Sequence, residues 1–151
     1  YGLNIVLAYK SFDLTMFWQG VCNQDVYNNQ KFQTDFWSIT DPGSNKGSRM
    51  LDAWTTNNTS STITALTIRN SRASSYYVEN VSYLKLRTLQ IGYNLPKSVL
   101  SKLMMSNARI YLSGQNLLTI KSSSLTCSDP ENPNWNYPIP TSISFGLQVG
   151  F

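Results

Sequence analysis

The plainest structural signal in the chain is 142-SISFGLQVGF-151, where five apolar residues alternate with small polar residues and glycine. A period of two is typical of a β-strand with one apolar and one polar face. The same period recurs in four other segments, and the sequence therefore predicts five strands, at about 2–10, 12–20, 82–95, 108–119 and 142–151. Within the third of these strands, Lys85 and Arg87 fall on the apolar parity. We interpret them as the charged start of a strand that extends beyond a membrane.

The connections between these strands alternate between short and long. The turn at 10–11 and the connector at 96–107 are short, and the connector contains PKSVLSKLMM, which predicts a helix of one or two turns after Pro96. The loops at about 21–81 and 120–141 are long. Short turns at one end and long loops at the other are typical of outer-membrane β-barrels. The alternative is a soluble five-stranded sheet that covers its apolar face with the segment 20–80.

The composition narrows the class of protein. The 151 residues include only 13% charged residues, 13% aromatics, no His and two Cys, while 20 Ser, 13 Thr and 15 Asn supply uncharged polarity. Disordered chains have the opposite bias, and no apolar run has the roughly 18 residues of a membrane-spanning helix. The lack of His and of a cysteine cluster argues against an enzyme and a metal site, and the scattered Lys and Arg argue against nucleic acid. We expect no cofactor. The start at Tyr1 suggests a processed chain or a fragment.

Several motifs together carry a resemblance to a known family. They are YGLNIVLAYKSFDLTMFWQG (1–20), DAWT (52–55), SSYYVENVSYLKLRTLQIGYNLP (74–96), RIYLSGQNLLT (109–119), DPE (129–131) and FGLQVGF (145–151). In this order they resemble the C-terminal barrel strands of SusC/RagA-type TonB-dependent outer-membrane transporters. The resemblance implies an all-β, antiparallel transmembrane β-barrel of roughly 22 strands, of which this chain supplies about the last five. It also implies extracellular long loops, a periplasmic connector, and a plug and N-terminal extension outside this chain.

The function that the resemblance implies is TonB-energised import of oligosaccharides, or of peptides, across the bacterial outer membrane. The implied partners are a SusD-like surface lipoprotein, TonB-ExbB-ExbD acting through the missing N-terminal part, the barrel-assembly machinery and outer-membrane lipid. Two alternatives stay open: a siderophore or cobalamin receptor of the same architecture, and a secreted glycan-binding β module without transport.

Candidate functional residues follow from the predicted faces and loops. Phe151 resembles the C-terminal signal read by the barrel-assembly machinery. Aromatic residues in or beside the long loops are candidates for substrate contact, namely Trp54, Tyr76, Tyr77 and Trp135. Polar residues of one strand parity should face the lumen or the plug: Asn4, Asp13, Thr15, Gln19, Arg109, Tyr111, Ser113, Gln115 and Gln148. Cys22 and Cys127 could form a disulfide that closes a long loop, or could remain two thiols.

Overall fold

The computed structural model describes residues 1–36, 45–67, 72–132 and 137–151. Strands and α-helices among these residues are, in chain order, β1 (Gly2–Tyr9), β2 (Phe12–Val21), β3 (Asp25–Tyr27), α1 (Asn29–Asp35), β4 (Val78–Asn80), β5 (Tyr83–Asn94), α2 (Lys97–Lys102), β6 (Asn107–Lys121) and β7 (Ser142–Gly150). Two 3₁₀ helices cover Ser48–Asp52 and Ser75–Tyr77. The helix expected in the short connector is present as α2, which begins directly after Pro96.

The chain divides into two compact units. The sheet unit comprises Tyr1–Cys22, Ser82–Lys121 and Ile139–Phe151, and the loop unit comprises Asn23–Val81 and Ser122–Pro138. The sheet unit is a single antiparallel sheet in the order β1-β2-β5-β6-β7. This sheet is the all-β, antiparallel fold that the alternation predicts.

Strand register gives this sheet two chemically different faces. Cross-strand neighbours such as Leu7 with Leu14, and Leu112 with Phe145, place the alternating apolar residues together on one face, which we call the apolar face. Side chains on the apolar face are exposed, for example Ile143 at 70% and Phe145 at 73%. Large apolar groups are normally buried in a soluble domain, so a continuous exposed face of this kind marks a surface that contacts lipid or another protein.

Aromatic residues collect on the apolar face beside the tight turn. Phe12 pairs with Tyr9 on β1 and with Tyr93 on β5, and the Phe12 and Tyr93 ring centroids are 4.8 Å apart. The turn itself has two residues, and Lys10 adopts a positive φ of 53°. The position of the aromatics next to a short turn matches an interfacial aromatic girdle.

A β-bulge in β5 corrects the expectation for Lys85 and Arg87. Pairing with β2 runs from Phe17–Thr88 directly to Trp18–Leu86, so that Arg87 is an extra residue without a partner in the register. The shift turns Lys85 to the same face as Gln19, and the Arg87 Nε donates to the Gln19 Oε1 at 2.9 Å. Both cations therefore lie on the polar side, because one inserted residue inverts the parity of everything before it.

The strand ends define the two ends of this sheet. Val21, Tyr83 and Lys121 are register neighbours at one end, and both long connections leave the sheet there. The Lys10–Ser11 turn and α2 belong to the opposite end. Among its described residues, the long connection at about 21–81 contains regular structure, namely α1 and the two-stranded sheet β3–β4.

Candidate functional site

All nine residues predicted to face a lumen lie on one side of the sheet. Register neighbours form rows across it, such as Thr15, Gln90, Ser113 and Ser144 on four successive strands. We call this side the polar face; its predicted members are Asn4, Asp13, Thr15, Gln19, Arg109, Tyr111, Ser113, Gln115 and Gln148. That the polar face lines a lumen or contacts a plug remains a prediction.

An ion pair spans three strands on the polar face near the tight-turn end. The Arg109 guanidinium on β6 donates from Nε to the Asp13 Oδ1 at 3.1 Å, and from a terminal nitrogen to Oδ2. The Gln90 amide oxygen, when turned toward the guanidinium, accepts from it at 2.8 and 3.1 Å. The Asn94 amide donates to Asp13 at 3.3 Å. This bidentate geometry holds β2 and β6 in register across β5.

Two glycines make room for this network. A side chain at Gly92, which lies between Asp13 and Arg109 on β5, would collide with both charged groups. A side chain at Gly146 would collide with the Tyr111 ring, which lies over it from the neighbouring strand. Arg109 in turn stands 5.3 Å from the Tyr111 ring centroid. On the polar face, charged and aromatic side chains therefore lie directly over glycines of the neighbouring strand.

Glu79 is the centre of a buried polar cluster in the loop unit. Its carboxylate accepts from the Asn28 amide at 2.8 Å, from the Thr126 backbone N–H at 3.0 Å and hydroxyl at 2.9 Å, and it pairs with Lys31 at 3.2 Å. Burial alone would raise the pKa of Glu79, but these donors outweigh it and hold the pKa below the ordinary value. The cluster joins residues of both long connections, because Thr126 lies nearly fifty positions after Glu79.

A second buried carboxylate, Asp35, organises the other half of the loop unit. Arg49 Nε donates to both of its oxygens, at 2.7 and 3.0 Å, and the Tyr76 hydroxyl donates to it at 2.8 Å. Burial, and then the hydrogen bond to Asp35, raise the pKa of Tyr76. Arg49 keeps a raised pKa because Asp35 outweighs the cost of its own burial. Arg49 and Asp35 thus form an ion pair, as buried charged groups in proteins usually do, and the neutral Tyr76 hydroxyl is a further donor to the carboxylate.

The four aromatic candidates for substrate contact differ in how accessible their rings are. Tyr77 is 1% exposed and packs with Phe32 and Phe36 in an aromatic core, so its ring cannot meet a ligand in this structure. Burial raises the pKa of Tyr77 to about 12, and its hydroxyl has no hydrogen-bond partner among the described residues. Tyr76 is engaged with Asp35. Trp135 lies outside the described residues.

Trp54 is the most exposed of the aromatic candidates that the structure describes. It is 41% exposed and lines an open cleft of about 390 Å³ together with the segment Ser61–Ala65. The Trp54 backbone N–H donates to the Ile63 carbonyl at 2.9 Å, which fixes this segment beside the indole. The cleft lies within the size range of small-ligand sites.

The two cysteines are free thiols in this structure, so the disulfide that the sequence left open is absent from it. Cys22 is exposed just after β2. Cys127 is buried beside Val81 and Leu125, and its thiol donates to the Asp129 carbonyl at 3.3 Å. A buried thiol with an apolar environment behaves as a small core residue.

The described residues lack both a metal-binding cluster and a membrane-spanning helix. They contain no group of three or more His, Cys, Asp or Glu side chains that could hold a metal ion. No helix in the described part of the chain is long and apolar enough to cross a membrane.

Sequence relatives and solved structures point to the same family of proteins. The chain matches no family model. TonB-dependent receptor P3 of Formosa agariphila is 35% identical over 133 residues, which is 86% of this chain and 12% of that receptor. TonB-dependent receptor P26 of the same organism is 29% identical over 173 positions, covering 100% of this chain and 17% of the receptor. The chain thus spans less than a fifth of the length of either relative.

Solved structures give the same result. The RagAB peptide importer in its closed-closed state matches 99% of this chain with a TM-score of 0.80 and 25% identity, and the open-open state matches with 0.79 and 27%. The match covers 17% of the solved chain in each case. A sheet with one continuous apolar face, short connections at one end and long connections at the other is typical of a wall segment of a β-barrel. The chain belongs to the TonB-dependent receptors, as part of the barrel of a receptor of the SusC/RagA type.

Proposed function

We propose that the chain forms part of the wall of a TonB-dependent importer in the bacterial outer membrane. The observation that carries this proposal is the exposed apolar face opposite a polar face built on glycines. In a barrel the apolar face contacts lipid and the polar face contacts the lumen, so each face lies in an environment of matching polarity. The relatives named TonB-dependent receptors support the same role.

The proposed cargo is an oligosaccharide, with peptide as the alternative because the solved relatives are peptide importers by name. The other candidate of the same architecture is a siderophore or cobalamin receptor. No catalytic role is proposed, since the relatives are receptors and importers. We further propose a SusD-like lipoprotein on the extracellular side, where the loop unit would be presented, and TonB-ExbB-ExbD acting through other parts of the receptor.

Uptake by whole cells tests the function. In a bacterium that carries the complete receptor, removal of its gene should abolish uptake of labelled oligosaccharides that the parent strain imports. Complementation should restore uptake, and collapse of the proton-motive force should stop it again. A different cargo would be assigned if no oligosaccharide needed the receptor for uptake while peptides or iron chelates did.

Membrane extraction tests the rival class, a secreted glycan-binding module. The complete receptor should stay in the outer-membrane fraction after washing with alkaline carbonate, because its apolar face would be in lipid. Release of the protein into the wash, in a folded and detergent-free form, would contradict the barrel and favour a secreted module.

A further inference from the structure

The cleft beside Trp54 has a chemistry that differs from the rest of the loop unit. The segment from Ala53 to Ile68 contains no charged residue, although charged residues flank it at Asp52 and Arg69. Its polarity comes from hydroxyls and amides. Elsewhere the loop unit buries carboxylates and cations in pairs, as at Asp35 and Glu79. The described residues that line this cleft, Trp54 and Ser61–Ala65, would therefore offer a ligand neutral groups.

The hydroxyl groups along the cleft are not equivalent. The Ser61 hydroxyl is used internally, because it donates to the Ile63 carbonyl at 3.2 Å and accepts from the Ile63 N–H at 3.0 Å. Thr62 and Thr64 alternate with these residues and are exposed. Two threonines, two positions apart, thus line the same cleft as an accessible indole.

We infer that Trp54, Thr62 and Thr64 form a binding subsite for a neutral sugar ring. This inference rests on the proposed function, because it names a ligand class for a loop unit exposed to the medium. An indole has a negative face that attracts the slightly positive C–H groups of a pyranose, and it offers a large rigid surface. Threonine hydroxyls both donate and accept, as the hydroxyls of a sugar do.

One residue at the middle of the segment, Ile63, has no backbone group left for an extended peptide. A bound peptide strand would need free N–H and C=O groups on the segment that it joins. Both backbone groups of Ile63, at the middle of the segment, are already engaged: its N–H by Ser61 and its carbonyl by Trp54. The absence of charge in 53–68 also leaves nothing to pair with the ends of a short peptide.

Binding by the purified complete receptor tests the subsite. The wild-type receptor in detergent would be applied to an array of neutral oligosaccharides, acidic oligosaccharides and short peptides. We expect retention of at least one neutral oligosaccharide. For that glycan, calorimetry should show affinity about tenfold weaker with Trp54→Ala and about threefold weaker with Thr62→Val or Thr64→Val. Trp54→Phe should recover part of the loss.

Leu51→Ala is the matched control, because Leu51 is a 92% exposed apolar residue of the same unit that does not line the cleft. It should leave affinity unchanged. Unaltered mobility of the unheated receptor on gels would show that each variant is folded. The inference is overturned if no neutral glycan depends on Trp54, or if the ligands lost with Trp54→Ala are peptides. Receptor-dependent uptake that persists in such a case would leave the import function standing.

Discussion

Arg109 reaches across a whole strand to bind the carboxylate of Asp13, and the strand between them contributes Gly92 at the crossing point. Neighbouring strands in a sheet are about 4.8 Å apart, so residues on the first and third strands meet only when the middle one offers no side chain. The relationship links β2, β5 and β6 through one charged contact. It explains a glycine in the middle of a strand, where glycine by itself is unfavourable.

The first prediction concerns this ion pair. Asp13→Ala and Arg109→Ala should each lower the stability of the receptor by about 1 to 3 kcal/mol, and the double variant should lose little more, because one interaction is removed in all three. Gly92→Val should cause a comparable loss by displacing both partners. Thermal unfolding in detergent measures these effects, with Thr15→Ala on the same face as the control. Additive losses in the double variant would show that the pair is not coupled.

The two faces of β7 give the second prediction. Leu147→Arg or Ile143→Arg should impair assembly by about 2 to 4 kcal/mol, because a charge would enter the lipid near the middle of the membrane. Ser144→Arg, on the polar face, should be tolerated unless the plug abuts it. The amount of folded receptor in the outer membrane reports the difference. Equal damage from both substitutions would mean that the strand is buried on two sides.

A third prediction tests the bulge at Arg87. Deleting Arg87 should restore an uninterrupted register, which would turn Lys85 and Tyr83 to the apolar face and strongly reduce assembly. Arg87→Ala keeps the inserted residue and removes side-chain contacts such as the hydrogen bonds to Gln19 and Asn116, so its effect should be mild. Outer-membrane levels of the two variants compare the effects. If the deletion variant reached the same outer-membrane level as Arg87→Ala, the bulge register would not be required for assembly.

The fourth prediction concerns acid. The folded loop unit holds the pKa of Glu79 below its ordinary value of 4.5, so the stability from this group is complete above that value and is lost as pH falls through the lower, folded pKa. Hydrogen exchange of the peptide 23–36, corrected for intrinsic rates, should therefore increase on acidification below 4.5. Glu79→Gln should raise exchange already at neutral pH and flatten the dependence. An unchanged pH profile in that variant would assign the effect to another group.

Phe151, which is 91% exposed at the end of β7, gives the last prediction. Replacing it by Asp should reduce the amount of receptor in the outer membrane far more than loss of one lipid contact would, since a buried aromatic contributes only about 1.5 to 3 kcal/mol. Recognition before barrel closure would be the reason. Quantitative blotting of membrane fractions measures the change, with Tyr9→Asp as a control for a lost aromatic contact. Unchanged levels would contradict the assembly-signal role.

The sequence by itself determined the sheet. Alternation with a period of two is a local property, and in β7, β1 and most of β2 it identifies both the strand and the face of every residue. It also predicted the helix after Pro96, because proline fixes the first turn locally. The nine polar-face residues could be grouped for the same reason, since parity assigns side chains to faces without knowledge of the partner strands.

Two features were decided only by the tertiary structure: the bulge that interrupts the alternation in β5, and the packing of the loop unit, which has no alternation. Parity extended back from Leu89 and Ile91 misplaced Lys85 and Arg87, because the bulge shifts the pairing with β2. In the sequence of β5 the bulge shows as a change of the apolar positions from even (Leu84, Leu86) to odd (Leu89, Ile91), but only the pairing with β2 identifies that change as an inserted residue. The loop unit has no period that indicates a face, so the roles of Glu79, Asp35 and buried Tyr77 could not be read from it. Asp35 meets Arg49 14 positions away and Glu79 meets Thr126 47 positions away. Such contacts depend on how the chain packs rather than on local sequence.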